Sequence, residues 1–146
     1  NSLWCSWRLE PPYRRIFYCG GTGYRAVSRS DDARVTFNQR ALVPAHVCPA
    51  FREVYQRYGS CDVAFLPIGS ASPRQTMSPI NADAVDMLFI HRDLHARQSV
   101  VHHWGTFQAG DEGMLDPVRS LETALLDCPV SEHDVTYLKH GHLHNC

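Results

Sequence analysis

The chain has 146 residues, 14 Lys and Arg against 15 Asp and Glu, a formal net charge of −1, 44% hydrophobic residues and 20% charged ones. That length suits one domain over residues 1–146, which would bury roughly two-thirds of the surface its unfolded form exposes. The balance of charge lacks the basic excess that nucleic-acid binding needs, and no apolar run approaches the roughly 20 residues that cross a bilayer, so neither nucleic acid nor a transmembrane segment is expected.

Leu3 to Leu9 sets Leu3, Cys5, Trp7 and Leu9 against Trp4, Ser6 and Arg8 with a period of two, which predicts a strand. Pro11-Pro12 breaks it, and Arg15 to Cys19 reads as a second strand joined by a short hairpin, closed by Gly20-Gly21-Thr22-Gly23. The sequence starts at Asn1, immediately before this first apolar run, and the reading expects a longer polypeptide of which this is a part. Residues 25–47 are polar, carry Asp31-Asp32 and several arginines, and lack a sustained period; they read as a surface excursion.

After Pro49, the spacing of Phe51, Val54, Tyr55 and Tyr58 predicts a helix that stops at Gly59. Cys61 to Ile68 reads as an apolar strand and residues 69–79 as a loop rich in Ser and Pro. Asn81 is the expected N-cap of a helix that buries Val85, Leu88, Phe89 and Leu94, with Asp83 and Asp86 near its positive end. A strand over Gln98 to His102, a helix over Asp116 to Asp127 and a last strand over Val135 to Leu138 follow. Strands alternating with helices make the class α/β.

Several groups invite a chemical reading. His91 and His95 are spaced i, i+4, as a helical metal chelate requires, but the expected surroundings are a solvated face away from Val85 and Leu88. His140, His142 and His144 alternate near the C-terminus, where fraying is the default. No Gly-x-Ser-x-Gly occurs, and the glycine run at 20–23 lacks the Gly-Lys-Ser/Thr ending of a phosphate loop. The six cysteines (Cys5, Cys19, Cys48, Cys61, Cys128 and Cys146) are irregularly spaced without a Cys-x-x-Cys pair, and read as reduced thiols. His102-His103 is different, because it ends an apolar strand just before a glycine turn, and strand ends hold ligands still. Alternate side chains leave a strand on opposite faces, so only His103 is given a role; the alternative for it is a buried histidine hydrogen-bonded in the sheet.

Four segments, Leu3-Trp4-Cys5-Ser6-Trp7, Phe17-Tyr18-Cys19-Gly20-Gly21-Thr22-Gly23-Tyr24, Cys48-Pro49-Ala50-Phe51 with Pro67-Ile68-Gly69, and His103-Trp104-Gly105-Thr106-Phe107, occur in the order seen in one family, and Leu138-Lys139-His140-Gly141 fits its ending. The chain resembles the N-acyl-phosphatidylethanolamine-hydrolysing phospholipase D family, a branch of the metallo-β-lactamase superfamily. The resemblance makes 25–47 an insertion and implies the C-terminal half of an αββα sandwich with a mixed sheet. It also implies a two-zinc centre acting on the phosphodiester of a phospholipid at a membrane surface, with N-acylethanolamine and phosphatidic acid as products.

Carried over residue by residue, the resemblance makes His103 a zinc ligand, while the family's bridging aspartate falls on Gly21 and a substrate-contacting histidine falls on Asn81. The family's His-x-His-x-Asp-His motif and one more zinc histidine have no counterpart in these 146 residues. The expectation is therefore an intracellular, peripherally membrane-associated member that is incomplete or inactive as this chain alone. The alternatives are a non-catalytic remnant that packs or self-associates through an open sheet face, and a metallo-hydrolase for another phosphodiester or a lactone.

Overall fold

The computed structural model describes residues 4–27, 36–42, 46–108 and 110–143. Leu3 of the first expected strand, residues 28–35 and 43–45 of the expected excursion, and His144 and Cys146 lie outside the described residues. In chain order the elements are β1 (Trp7–Leu9), β2 (Ile16–Tyr18), α1 (Phe37–Leu42), α2 (Ala50–Tyr58), β3 (Cys61–Pro67), α3 (Arg74–Met77), α4 (Ala84–Asp93), β4 (Ala96–His102), α5 (Asp116–Leu125) and β5 (Val135–Tyr137). The class is α/β, with a five-stranded mixed sheet ordered β1-β2-β3-β4-β5.

β1 and β2 form an antiparallel hairpin that sets Trp7 opposite Tyr18, whereas β2 to β5 run parallel in sequence order. Crossovers between parallel strands are right-handed, so a sheet that grows in one direction stacks all its connecting helices on one face. That face carries Phe17, Ala64, Leu66, Val101 and Val135, buried in one cluster with Leu88, Phe89, Ile90 and Leu94 of the α4 region and Leu121 of α5. Each fully buried Leu, Ile or Phe there contributes about 1.5–3 kcal/mol. Cross-strand partners share a face, so the register places Trp7, Leu9, Ile16, Tyr18, Phe65, Val100 and His102 on the other side. There Trp7 is 62% exposed and Leu9 52%. The described residues thus build one helical layer on one sheet, with the sheet's second face largely apolar and open at β1.

α2 and α5 follow their periodicity, and α2 ends at Gly59, whose φ of +75° is the left-handed turn-off that glycine takes without strain. Elsewhere the structure corrects the sequence reading. The excursion is tied to the core: Arg25, Phe37 and Arg40 are buried, and Phe37 stacks on Phe89 with centroids 4.3 Å apart. The residues expected to loop from 69 to 79 include α3. Asn81 does not cap α4. Asp83 does, accepting from the Asp86 backbone N–H at 2.8 Å. His91 is buried instead of solvated, its Nδ1 2.8 Å from Ser99 Oγ, while His95 lies beyond the helix and stacks on Tyr55. His140, expected to fray, lies against Trp104 with centroids 5.4 Å apart.

Candidate functional site at the carboxyl edge of the sheet

Four parallel strands point their carboxyl ends to one edge, which is where α/β sheets place ligands. β2 runs into Cys19-Gly20-Gly21-Thr22, β3 into Ile68-Gly69-Ser70, β4 into His103-Trp104-Gly105 and β5 into Leu138-Lys139-His140. Two non-glycine residues at this edge sit in the left-handed region: Ser70 at φ +46° and His103 at φ +69°. Each such residue costs of order 1–3 kcal/mol and persists only where its surroundings over-determine it, a pattern that clusters at functional sites.

Close contacts draw the three residues singled out in the sequence to this edge. A Cβ built on Gly21 lies 3.8 Å from His103 Nε2, so residue 21 and the exposed imidazole face each other across adjoining loops. The Thr22 carbonyl accepts from the Ala82 N–H at 2.7 Å, which ties the glycine loop to the segment before α4. Within that segment the Asn81 side-chain amide donates to the Ser70 carbonyl at 2.8 Å. Asn81 is therefore a brace between the β3 loop and the α4 entry, a use that a substitution read on sequence alone does not reveal.

Beneath the edge lies a buried ionic cluster. Arg40 Nη1 donates to both carboxylate oxygens of Asp83, at 2.7 and 2.8 Å, and to Asp86 at 3.1 Å. Arg74 donates to Asp86 through one Nη and to the Asn81 carbonyl through the other, at 3.1 Å. Burial, reinforced by the neighbouring Asp83 charge, pushes the Asp86 carboxyl up to about 6. For Asp83, burial opposes ionisation but Arg40 and Arg74 outweigh it and hold the carboxyl below its ordinary range. Arg40 comes from the excursion and Arg74 from α3. Arg40 escapes a sequence reading because Asp83 and Asp86 lie more than forty residues further along the chain, and Arg74 because Asp83 and Asp86 read only as helix-dipole acids.

Glu112 closes the other side of the edge, accepting from the Ala71 N–H at 2.9 Å and lining a narrow crevice with Ser70 and His103. Its carboxyl is raised, first by burial. Burial pushes the Cys19 thiol up to about 12 and the Cys61 thiol up to about 11, which suppresses the reactive thiolate at these two positions.

A two-zinc centre requires three or four protein ligands per ion. Among the described residues no group of three or more His, Cys, Asp and Glu converges in that way. The edge itself explains this chemically: Gly21 has no side chain to bridge with, Asn81 presents an amide already committed to Ser70, and His103 is a single imidazole. The described residues do not fit a two-zinc centre.

Residues 1–104 match the beta-lactamase superfamily domain. The chain is 32% identical over 124 residues to the mitochondrial N-acyl-phosphatidylethanolamine-hydrolyzing phospholipase D of Saccharomyces cerevisiae, a match covering 84% of this chain and 22% of that protein. It is 26% identical over 139 residues to N-acyl-phosphatidylethanolamine-hydrolyzing phospholipase D 1 of Caenorhabditis elegans, covering 94% of this chain and 33% of that protein. The chain thus spans between about a fifth and a third of the length of these relatives. No helix among the described residues is long and apolar enough to cross a membrane. With a matching family over residues 1–104 and the parallel-stranded α/β layer it encodes, the chain belongs to the beta-lactamase superfamily domain family.

Proposed function

We propose that this chain is one α/β layer of a phospholipase D-type phosphodiesterase that hydrolyses N-acyl-phosphatidylethanolamine to N-acylethanolamine and phosphatidic acid, and that it is inactive by itself. The observation that carries the reading is the strand-end edge, where His103 projects in a left-handed backbone turn opposite Gly21, in a chain whose named relatives are hydrolases of that lipid. The metal ions of such an enzyme would draw most of their ligands from outside the described residues. Trp7, Leu9 and Tyr18 on the open sheet face supply apolar surface for a covering layer, since sheets in a sandwich pack about 10 Å apart through apolar side chains. Its expected setting is intracellular, peripherally on a membrane.

Gly21 favours a second reading, a non-catalytic member that keeps the fold and packs the same open face against another chain or a second copy. Hydrolysis of another phosphodiester or of a lactone is the remaining enzymatic alternative, because the fold alone does not set the substrate. Incubating the full-length protein with N-acyl-phosphatidylethanolamine, other phosphodiesters and lactones, with and without zinc, separates the three. Zinc-dependent release of N-acylethanolamine supports the first, turnover of a different ester only the third, and no turnover of any substrate the second.

A further inference from the structure

A cavity of about 610 Å³ opens on the helix side of the sheet, walled by α1, α3, α5 and the entry to α4. Small-molecule sites have volumes of roughly 300–1,000 Å³. Ala71, Ala84 and Ala124 leave the space open, because each carries only a methyl group. Thr36 and Arg40 form one wall, and both belong to the 25–47 segment that the resemblance makes an insertion. Asn38 pins that wall to the end of α5, its side-chain amide donating to the Asp127 carbonyl at 2.8 Å and to the Asp127 carboxylate at 3.0 Å. The cavity is separate from the carboxyl-edge site: among the described residues, Glu112 alone lines both it and the crevice beside His103.

Formally, the charges in its wall cancel. Arg40, Arg74 and Arg119 bring three positive groups, and Asp83, Glu112 and Asp127 bring three acids. An anion would face the carboxylates and a cation the guanidinium groups, in a partly buried setting where an unpaired charge is costly. An uncharged head with both a donor and an acceptor meets neither opposition. Arg74 is 6% exposed, and its Nε, 3.3 Å from Asp83 Oδ2, has no hydrogen-bond partner among the described residues, which leaves a donor over for an oxygen acceptor. Ser120 and Thr123 add hydroxyl groups that donate or accept as the head requires. At the rim, Leu126 is 88% exposed and gives an alkyl chain an apolar surface beside Val85. We infer that this cavity binds an uncharged fatty amide, its carbonyl oxygen towards the arginines, its N–H towards Glu112 and its chain along Val85 and Leu126. The inference deepens the hydrolase reading, since an N-acylethanolamine is such an amide, and it rests on that reading for the choice of probe. It is measured as binding and not as turnover, so the two fail separately.

The test is equilibrium dialysis of the intact protein against N-decanoylethanolamine, decanoate and decyltrimethylammonium, each below its critical micelle concentration. The amide is expected to bind at least tenfold more tightly than either charged probe. Ser120 is exposed on α5, so Ser120→Trp fills the cavity from its surface and should weaken amide binding at least tenfold, whereas His103→Ala should leave it unchanged. No retention of the amide, a charged probe that binds as tightly, or amide binding that survives Ser120→Trp would overturn the inference. Loss of amide binding in His103→Ala would place the ligand at the carboxyl edge and overturn it equally. Should Ser120→Trp lose its cooperative melt, Thr123→Trp, at another exposed position lining the cavity, carries the same expectation.

Discussion

His102 lies over Tyr18 on the open face of the sheet, ring centroids 5.1 Å apart and planes within 12° of parallel. Its Nε2 is buried with no hydrogen-bond partner among the described residues, and burial, with the adjacent His103 adding to it, pushes the imidazole down to about 4. In the unfolded chain the same group titrates near 6.5. Between those values the unfolded state binds a proton that the folded state refuses, so stability falls as pH drops from about 6.5 towards about 4 and this contribution levels off below. His102→Phe keeps a ring on Tyr18 and removes the proton site. The melting temperature of the unaltered protein is expected to fall relative to that variant on acidification across this window, read by circular dichroism. A constant difference between the two curves would place the acid sensitivity elsewhere.

The Arg40, Arg74, Asp83 and Asp86 cluster is stable only as a complete set. Asp86 is fully buried, and removing it takes from Arg40 and Arg74 one of the two carboxylates they share, leaving Asp83 as the remaining one for both guanidinium groups. Asp86→Ala is expected to cost about 3–5 kcal/mol in urea unfolding. The exposed Arg119–Asp116 pair, at 3.3 Å, provides the contrast: Arg119→Ala should change stability by no more than about 0.5 kcal/mol. Equal effects of the two substitutions would mean that the ionic cluster is not organised as described.

Two glycines two residues apart should respond oppositely to the same added methyl group. Gly23→Ala forces a Cβ against the carbonyls of Ser78 and Pro79 and should cost about 1–3 kcal/mol. Gly21→Ala meets no such obstacle and should be neutral, or stabilising by up to about 1 kcal/mol through the stiffer unfolded chain. Chemical denaturation of both variants checks the packing of the loop on the 78–82 segment.

The open sheet face makes a prediction about association. Trp7 and Leu9 are exposed neighbours on it, and apolar patches left uncovered drive self-association. Sedimentation velocity of the 146-residue chain should report concentration-dependent association that Trp7→Lys with Leu9→Lys reduces, while circular dichroism stays unchanged. Association that persists in the double variant would assign it to another surface.

Helical spacing was enough to place α2 and α5, and short apolar runs placed β3, β4 and β5; β3 and β4 are buried on both faces, so they show as apolar runs and not as an alternation. α4 defeated the same reasoning in part. It buries residues all round, from Asp86 and Met87 to His91 and Asp93, so the i, i+4 pair at 91 and 95 did not mark a solvent face. The roles of Arg25 and Arg40 were hidden because both look like surface charges until Asp86 is brought to them from far along the chain. Asn81 and Asp83 are both good capping residues, and only the start of the helix at Ala84 decides between them. At the candidate site, the motifs located His103, Gly21 and Asn81; the facing of 21 and 103 across two loops is a property of the parallel sheet edge alone.

The account turns on whether this layer gains its chemistry from a completed sandwich. The most direct measurement is mass-spectrometric detection of N-acylethanolamine released from N-acyl-phosphatidylethanolamine, comparing the isolated 146-residue chain with the full-length protein in the presence of zinc. The account predicts no release by the isolated chain and zinc-dependent release by the full-length protein, lost on His103→Ala. Release by the isolated chain, or full-length activity indifferent to His103, would contradict it.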